Sequence, residues 1–173
     1  MKKLLISMFM LCSTLVAMAQ DGDPHDEETK SPYKVDTEIE EMLIRRKMNY
    51  AVMSNSENEF RIETNLGNGR SQGGFIDSRV RKINGDYYRD IMALVLVTTE
   101  MPSAETLFHI LEVNEKLEQG FFEMFYNGTD FVVRYKNRVH ADLNERSLID
   151  AYFYGITVSD QLEKEITDGG DME

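Results

Sequence analysis

The sequence predicts an α+β domain, with helices packed on one antiparallel sheet. Three stretches predict it: apolar and polar residues alternate at 59–66, an unbroken apolar run fills 91–97, and apolar residues recur at three- and four-residue steps along 144–166. The predicted order is helix, three strands, helix, two-stranded hairpin, long C-terminal helix, with no internal repeat.

Met1 to Ala19 is read as an address ahead of the fold. Lys2 and Lys3 precede an apolar stretch from Leu4 to Val16, and Ala17-Met18-Ala19 stands before Gln20, the layout of a secretory signal peptide cleaved after Ala19. The stretch is shorter than the ~20 residues a membrane-spanning helix needs, and Ser7, Ser13 and Thr14 interrupt it. Leu11, not a small residue, precedes Cys12, which disfavours lipidation. The expectation is export to the periplasm or beyond, without stable membrane insertion after cleavage. Cys12 is the only cysteine, so the mature chain carries no thiol and its core alone must hold it together.

Residues 20–35 form an acidic leader: Asp21, Asp23, Asp26, Glu27 and Glu28 with Pro24 and Pro32 predict a solvated, flexible spacer. The tail 167–173, with Gly169-Gly170 and three acids, has the same character. A single domain is expected over 36–166. Hydrophobic residues make up 42% of the chain, with 8 Tyr and 9 Phe, enough for a core. Lys+Arg number 19 against 31 Asp+Glu, a net charge of −12, so the phosphates of nucleic acid and anionic membrane surfaces would repel it. A protein or peptide segment, or a second copy in a homodimer, is the expected partner.

The first helix is predicted to start near Asp36 or Thr37 and to run through Ile39, Met42 and Leu43 to about Met48. Phe60, Ile62, Thr64 and Leu66 alternate with Arg61, Glu63 and Asn65 as in a half-buried strand. Glycines at 67, 69 and 73 supply a turn and bulge rather than a phosphate loop, because the spacing joins two strands, the second lying within 70–81. Ile91 to Val97 places the third strand at the sheet centre, covered on both faces. The second helix opens at Pro102-Ser103, with Leu107, Ile110, Leu111 and Leu117 on one stripe, and ends before Gly120.

Asn127-Gly128 is the pair preferred in a two-residue type I′ hairpin turn. That turn would set Tyr126 opposite Thr129, Met124 opposite Phe131 and Phe122 opposite Val133. One face of the hairpin is then apolar, while the other carries Phe121, Glu123, Phe125, Asp130, Val132 and Arg134. Asn127-Gly128-Thr129 also matches a glycosylation acceptor, but the turn accounts for it without a sugar. The last helix, from about Asn144 to Ile166, aligns Leu148, Tyr152, Gly155, Ser159, Leu162 and Ile166. Gly155 suits close packing, either within the chain or in a dimer.

Chemistry is sparse. There is no H-E-x-x-H, G-x-S-x-G, G-x-x-x-x-G-K-[ST] or C-x-x-C, so neither an enzyme nor a cofactor is suggested. His25, His109 and His140 share no local spacing and fit ordinary surface positions better than metal ligands. Asn114, one turn beyond Ile110, suits a structural bond to a neighbouring backbone. Phe121, Phe125, Val132 and Arg134 form the candidate protein-contact face, which the chain's own leader, its first helix or a second copy could also cover. The alternative is a small-ligand receptor or enzyme whose acids, such as Asp142, Glu145, Asp150 or Asp160, converge only in three dimensions.

Leu107-Phe108-His109-Ile110-Leu111-Glu112-Val113-Asn114, then Gly120-Phe121-Phe122-Glu123-Met124, then Ser159-Asp160-Gln161-Leu162-Glu163, with Asn68-Gly69-Arg70 upstream, resemble the YbjN-like group of bacterial sensory-transduction regulators. The likeness covers roughly 36–166. It implies the fold of type III secretion chaperones, helices on a curved antiparallel sheet, often dimeric, binding extended segments of other proteins. It implies no catalytic residues. Those chaperones work in the cytoplasm, so an export signal argues against service to a secretion apparatus.

Overall fold

The structure, a computed structural model, describes residues 36–53, 59–67 and 69–167. The signal peptide, the leader, Cys12, His25, Asn68 and all of the tail except Thr167 lie outside the described residues. Each helix starts where a side-chain oxygen meets the unpaired amides of its first turn. In α1 (Thr37–Arg45) the Asp36 carboxylate accepts from the amides of Glu38 at 3.1 Å and Ile39 at 3.3 Å. In α2 (Ala104–Asn114) the Ser103 hydroxyl accepts from Thr106 at 3.1 Å, and in α3 (Glu145–Ile166) Asn144 accepts from Ser147 at 3.0 Å.

The strands are β1 (Asn49–Met53), β2 (Glu59–Gly67), β3 (Arg70–Asp77), β4 (Arg81–Ile83), β5 (Asp86–Thr98), β6 (Phe121–Tyr126) and β7 (Phe131–His140). They form one antiparallel sheet in the order β1-β2-β3-β5-β7-β6, with β4 paired to part of β5. The α+β class and the order of helices and strand blocks are as the sequence predicts. Two strands, β1 and β4, are additional. Asn-Tyr-Ala-Val-Met in β1 shows no alternation because an edge strand buries little, and β4 is only three residues long.

The type I′ turn exists, but not where it was expected. Ile83 pairs with Asp86 across Asn84 and Gly85, whose φ values of 52° and 96° meet the left-handed requirement at both central positions. At Asn127-Gly128 only the glycine has positive φ. Asn127 Oδ1 instead accepts from the amides of Thr129 at 2.9 Å and Asp130 at 2.8 Å, while the Asn127 amide bonds the Asp130 carbonyl at 3.0 Å. The loop therefore spans 127–130. Tyr126 faces Phe131, Met124 faces Val133 and Phe122 faces Tyr135, two residues along from the tight-turn register. A shift of two keeps every side chain on its original face.

All three helices contribute to a single core cluster on one side of the sheet. Ile39, Met42 and Leu43 enter from α1, Ile110 from α2, and Leu148, Tyr152, Ile156 and Leu162 from α3, against Phe60, Ile62, Ile76, Ile91, Val133 and Tyr135. Helix α3 lies across β3, β5 and β7 at very short range. A Cβ on Gly155 would come within 2.6 Å of the Tyr135 ring, and one on Gly74 within 2.7 Å of Tyr152, so Gly155 serves packing inside the chain. The Tyr152 hydroxyl lies 2.8 Å from Thr64 Oγ1, and burial pushes its pKa up to about 12 despite that bond.

Two expectations about packing need correction. Helix α2 stops at Asn114, and Leu111 does not share the inward stripe of Ile110; it points to solvent. Strand β5 is central, but among the described residues only its helix side joins the core cluster: Met92 is buried yet stands outside that cluster. Its apolar run is continuous because a register shift between Leu94 and Leu96 disturbs the two-residue period, and because both faces are apolar for different reasons.

A candidate binding face on the sheet

Opposite the helices, the pairing registers set Phe75 beside Met92, Leu94 beside Arg134, Val132 beside Phe125, and Glu123 beside Arg134. These residues enclose a shallow cleft of about 100 Å³, lined by Glu59, Phe75, Met92, Ala93, Leu94, Phe125, Val132 and Arg134. Its floor is apolar. Met92 and Val132 are each 6% exposed, while Phe125, at 37%, forms a wall that solvent reaches. The Arg134 guanidinium sits 4.5 Å from the Phe125 ring centre, in cation–π range, and holds Glu123 Oε1 at 2.6 Å.

Charges surround the floor in an interlocked array. Asp90 is buried between Arg138 at 2.9 Å and Lys136 at 3.3 Å, with Arg81 at 3.8 Å. Burial alone would raise the Asp90 carboxyl, but the hydrogen bond from Arg138 and the charges of Lys136 and Arg138 outweigh it and hold the carboxyl below its ordinary range. Asp77, also buried, pairs with Arg79 at 3.1 Å. The array thus keeps this face folded without a covering helix.

Of the four residues in the predicted contact face, the cleft brings together Phe125, Val132 and Arg134. Phe121 shares their face but stands opposite Lys136, four residues from Phe125 along β6, and does not line the cleft. Glu59, Phe75, Met92 and Leu94 were not anticipated, since β2, β3 and β5 meet the hairpin only through long-range pairing. Alternation in β2 and β3 carried the one usable signal: Phe75, like Arg61 and Glu59, falls on the side away from Phe60 and Ile76.

Elsewhere the candidate polar residues are locally engaged. Asn114 Nδ2 donates to the Phe122 carbonyl at 3.0 Å, and its Oδ1 accepts from the Phe122 amide at 2.6 Å. His109 lies 2.7 Å from Glu165, and the His140 ring stacks on Tyr88 with centres 4.5 Å apart. Glu145 holds Arg45 and Arg46 at 2.8 and 2.6 Å, Asp150 faces Arg146 at 3.7 Å, and Asp160 faces Arg70 at 2.8 Å. These acids follow one another along α3, each with its own cation, and do not converge. A second cavity, of about 150 Å³, opens where α1 and α3 begin; it is lined by the Arg89–Asp36 pair, at 3.0 Å, and by Arg45 and Glu145. Among the described residues no group of three or more His, Cys, Asp or Glu is placed to hold a metal ion, and no helix is long and apolar enough to cross a membrane.

No family model and no curated protein matches the chain. Among solved structures it is similar to the crystal structure of YbjN from E. coli, titled "a putative transcription regulator", with a TM-score of 0.47 and 11% identity over 75% of this chain and 86% of that one.

Proposed function

We propose that this chain is an exported, non-enzymatic module that binds a segment of another protein on the helix-free face of its sheet, in a chaperone-like or regulatory role. The observation that carries the reading is the cleft itself: shallow, with an apolar floor of buried Met92 and Val132, lined also by Glu59 and by the Arg134–Phe125 pair, on the face of the sheet turned away from the core cluster. Such a cleft takes an apolar anchor, and the flanking charges take polar groups of an extended backbone on either side. Separate pairing of the acids on α3 supports a binding role over a catalytic one.

Panning a displayed peptide library against residues 20–173 tests the reading. Enriched peptides should share an apolar residue and should lose at least about tenfold in affinity toward Phe125→Asp, a loss of about 1.4 kcal/mol or more. Thermal unfolding of the variant should stay cooperative with only a modestly lowered midpoint, because the Phe125 side chain is partly solvated, though it gives up contacts with Val132 and Arg134. Equal binding by both chains would refute the sheet-face assignment.

A further inference from the structure

Helix α2 has two apolar faces, and the fold uses one. Ile110 is buried in the core, whereas Phe108 and Leu111 are 68% and 61% exposed and, with exposed Ala104, form a ridge at steps of four and three residues. Exposed Glu105, Glu112 and Glu115 flank that ridge without a cationic partner among the described residues. The neighbouring basic side chains are engaged with α3 instead: His109 bonds Glu165, and the charge of exposed Lys116, one turn beyond Glu112, helps lower the Glu165 pKa after the hydrogen bond from Gln161. The last turn of α2 holds no basic residue, so Glu112 and Glu115 stand at the negative end of the helix dipole, where carboxylates destabilise.

We propose that the α2 ridge docks a cationic amphipathic helix of another protein, one that lays apolar side chains on Phe108 and Leu111 and sets Lys or Arg against Glu105, Glu112 and Glu115. Charge selects this occupant over a second copy. Two α2 ridges brought together would oppose three carboxylates to three, and α2 itself carries no Lys or Arg to offset them, with Lys116 following only after its last turn. The proposal is independent of the sheet-face reading, since the two surfaces share no residue.

The probe is a fluorescent Leu/Lys amphipathic helical peptide, with a Leu/Glu counterpart and a Ser/Lys peptide of equal charge, titrated by anisotropy against residues 20–173. The Leu/Lys peptide should bind, weaken as salt rises, and lose at least about tenfold toward both Phe108→Ser/Leu111→Ser and Glu112→Gln/Glu115→Gln, while Phe125→Asp binds as the parent does. Circular dichroism should show all variants folded, as the substituted side chains are exposed. Equal binding of the Ser/Lys peptide, or undiminished binding by Phe108→Ser/Leu111→Ser, would overturn the proposal by leaving charge alone. Loss with Phe125→Asp would overturn it in favour of the sheet face. A dimer in sedimentation equilibrium that Phe108→Ser/Leu111→Ser dissociates would overturn it in favour of self-association.

Discussion

The two faces of the sheet come from the same strands and are held by different physics. On the helix side, rings and branched side chains interlock so closely that glycine is required at 74 and 155 to admit Tyr152 and Tyr135. On the open side, Asp77 and Asp90 are as deeply buried as the core, yet their partners Arg79 and Arg138 keep 41% and 39% of their side chains in water. The first face is stable because water is excluded. The second is stable because long cationic side chains cover buried acids while their heads reach solvent, and such side chains can move aside for another surface. Packing therefore fixes the fold, and the face that packing leaves alone is the one suited to contact.

Four substitutions would break or sharpen that contrast. Tyr152→Ala should cost the most, about 3–5 kcal/mol in urea-denaturation experiments, because it empties a fully buried ring site between α3 and β3; a loss below about 1 kcal/mol would show that the helix side is not the tighter one. Asp90→Asn should cost about 2 kcal/mol, less than removal of one member of a fully buried pair, because Arg138 can turn to water. Its folded carboxyl is held below the ordinary range, so the stability it contributes is present above that range and is lost as pH falls. The stability of Asp90→Asn should accordingly decline less steeply on acidification than that of the parent, as read by denaturation midpoints along a pH series.

Tyr152→Phe should cost about 1 kcal/mol at neutral pH by removing the bond to Thr64. With the folded phenol raised to about 12, the parent loses stability as pH climbs from its ordinary value of 10, and the phenylalanine variant should lose less over that window. Phe125→Ser should cost about 1 kcal/mol by the same measurement, far less than Tyr152→Ala, because its ring is partly in water yet gives up packing on Val132 and the cation–π contact with Arg134. A large loss there would mean that the open face is part of the core.

What the sequence disclosed follows from which forces are local. The helix starts near Asp36, Ser103 and Asn144, the alternation through Phe60 and Ile62, and the seam from Leu148 to Leu162 act within a turn or two of chain and are readable, though the first helix is capped by Asp36 rather than by Thr37. Three Asn-Gly pairs, at 68, 84 and 127, offered the same dipeptide; the tight turn formed at 84–85, while the Asn127 side chain made its own turn at 127–130. The hairpin face could still be read because the error in register was an even number. Phe75, Met92 and Leu94 could not be assigned to the cleft, since their nearness to Phe125 depends on the order β3-β5-β7-β6. Leu111 was misplaced for a related reason: with apolar residues on both sides of α2, spacing alone does not say which side meets the sheet.

The amide of Asn114 occupies the Phe122 N–H and C=O on the outer flank of β6, where a neighbouring strand would otherwise bond. It leaves strands of other copies no template at that point, a safeguard against fibril growth in a chain whose β6 is rich in aromatic residues. Aspartate would keep the shape of asparagine but lose its donor, so spontaneous deamidation at this position would expose the flank again and make ageing of the protein a route to aggregation.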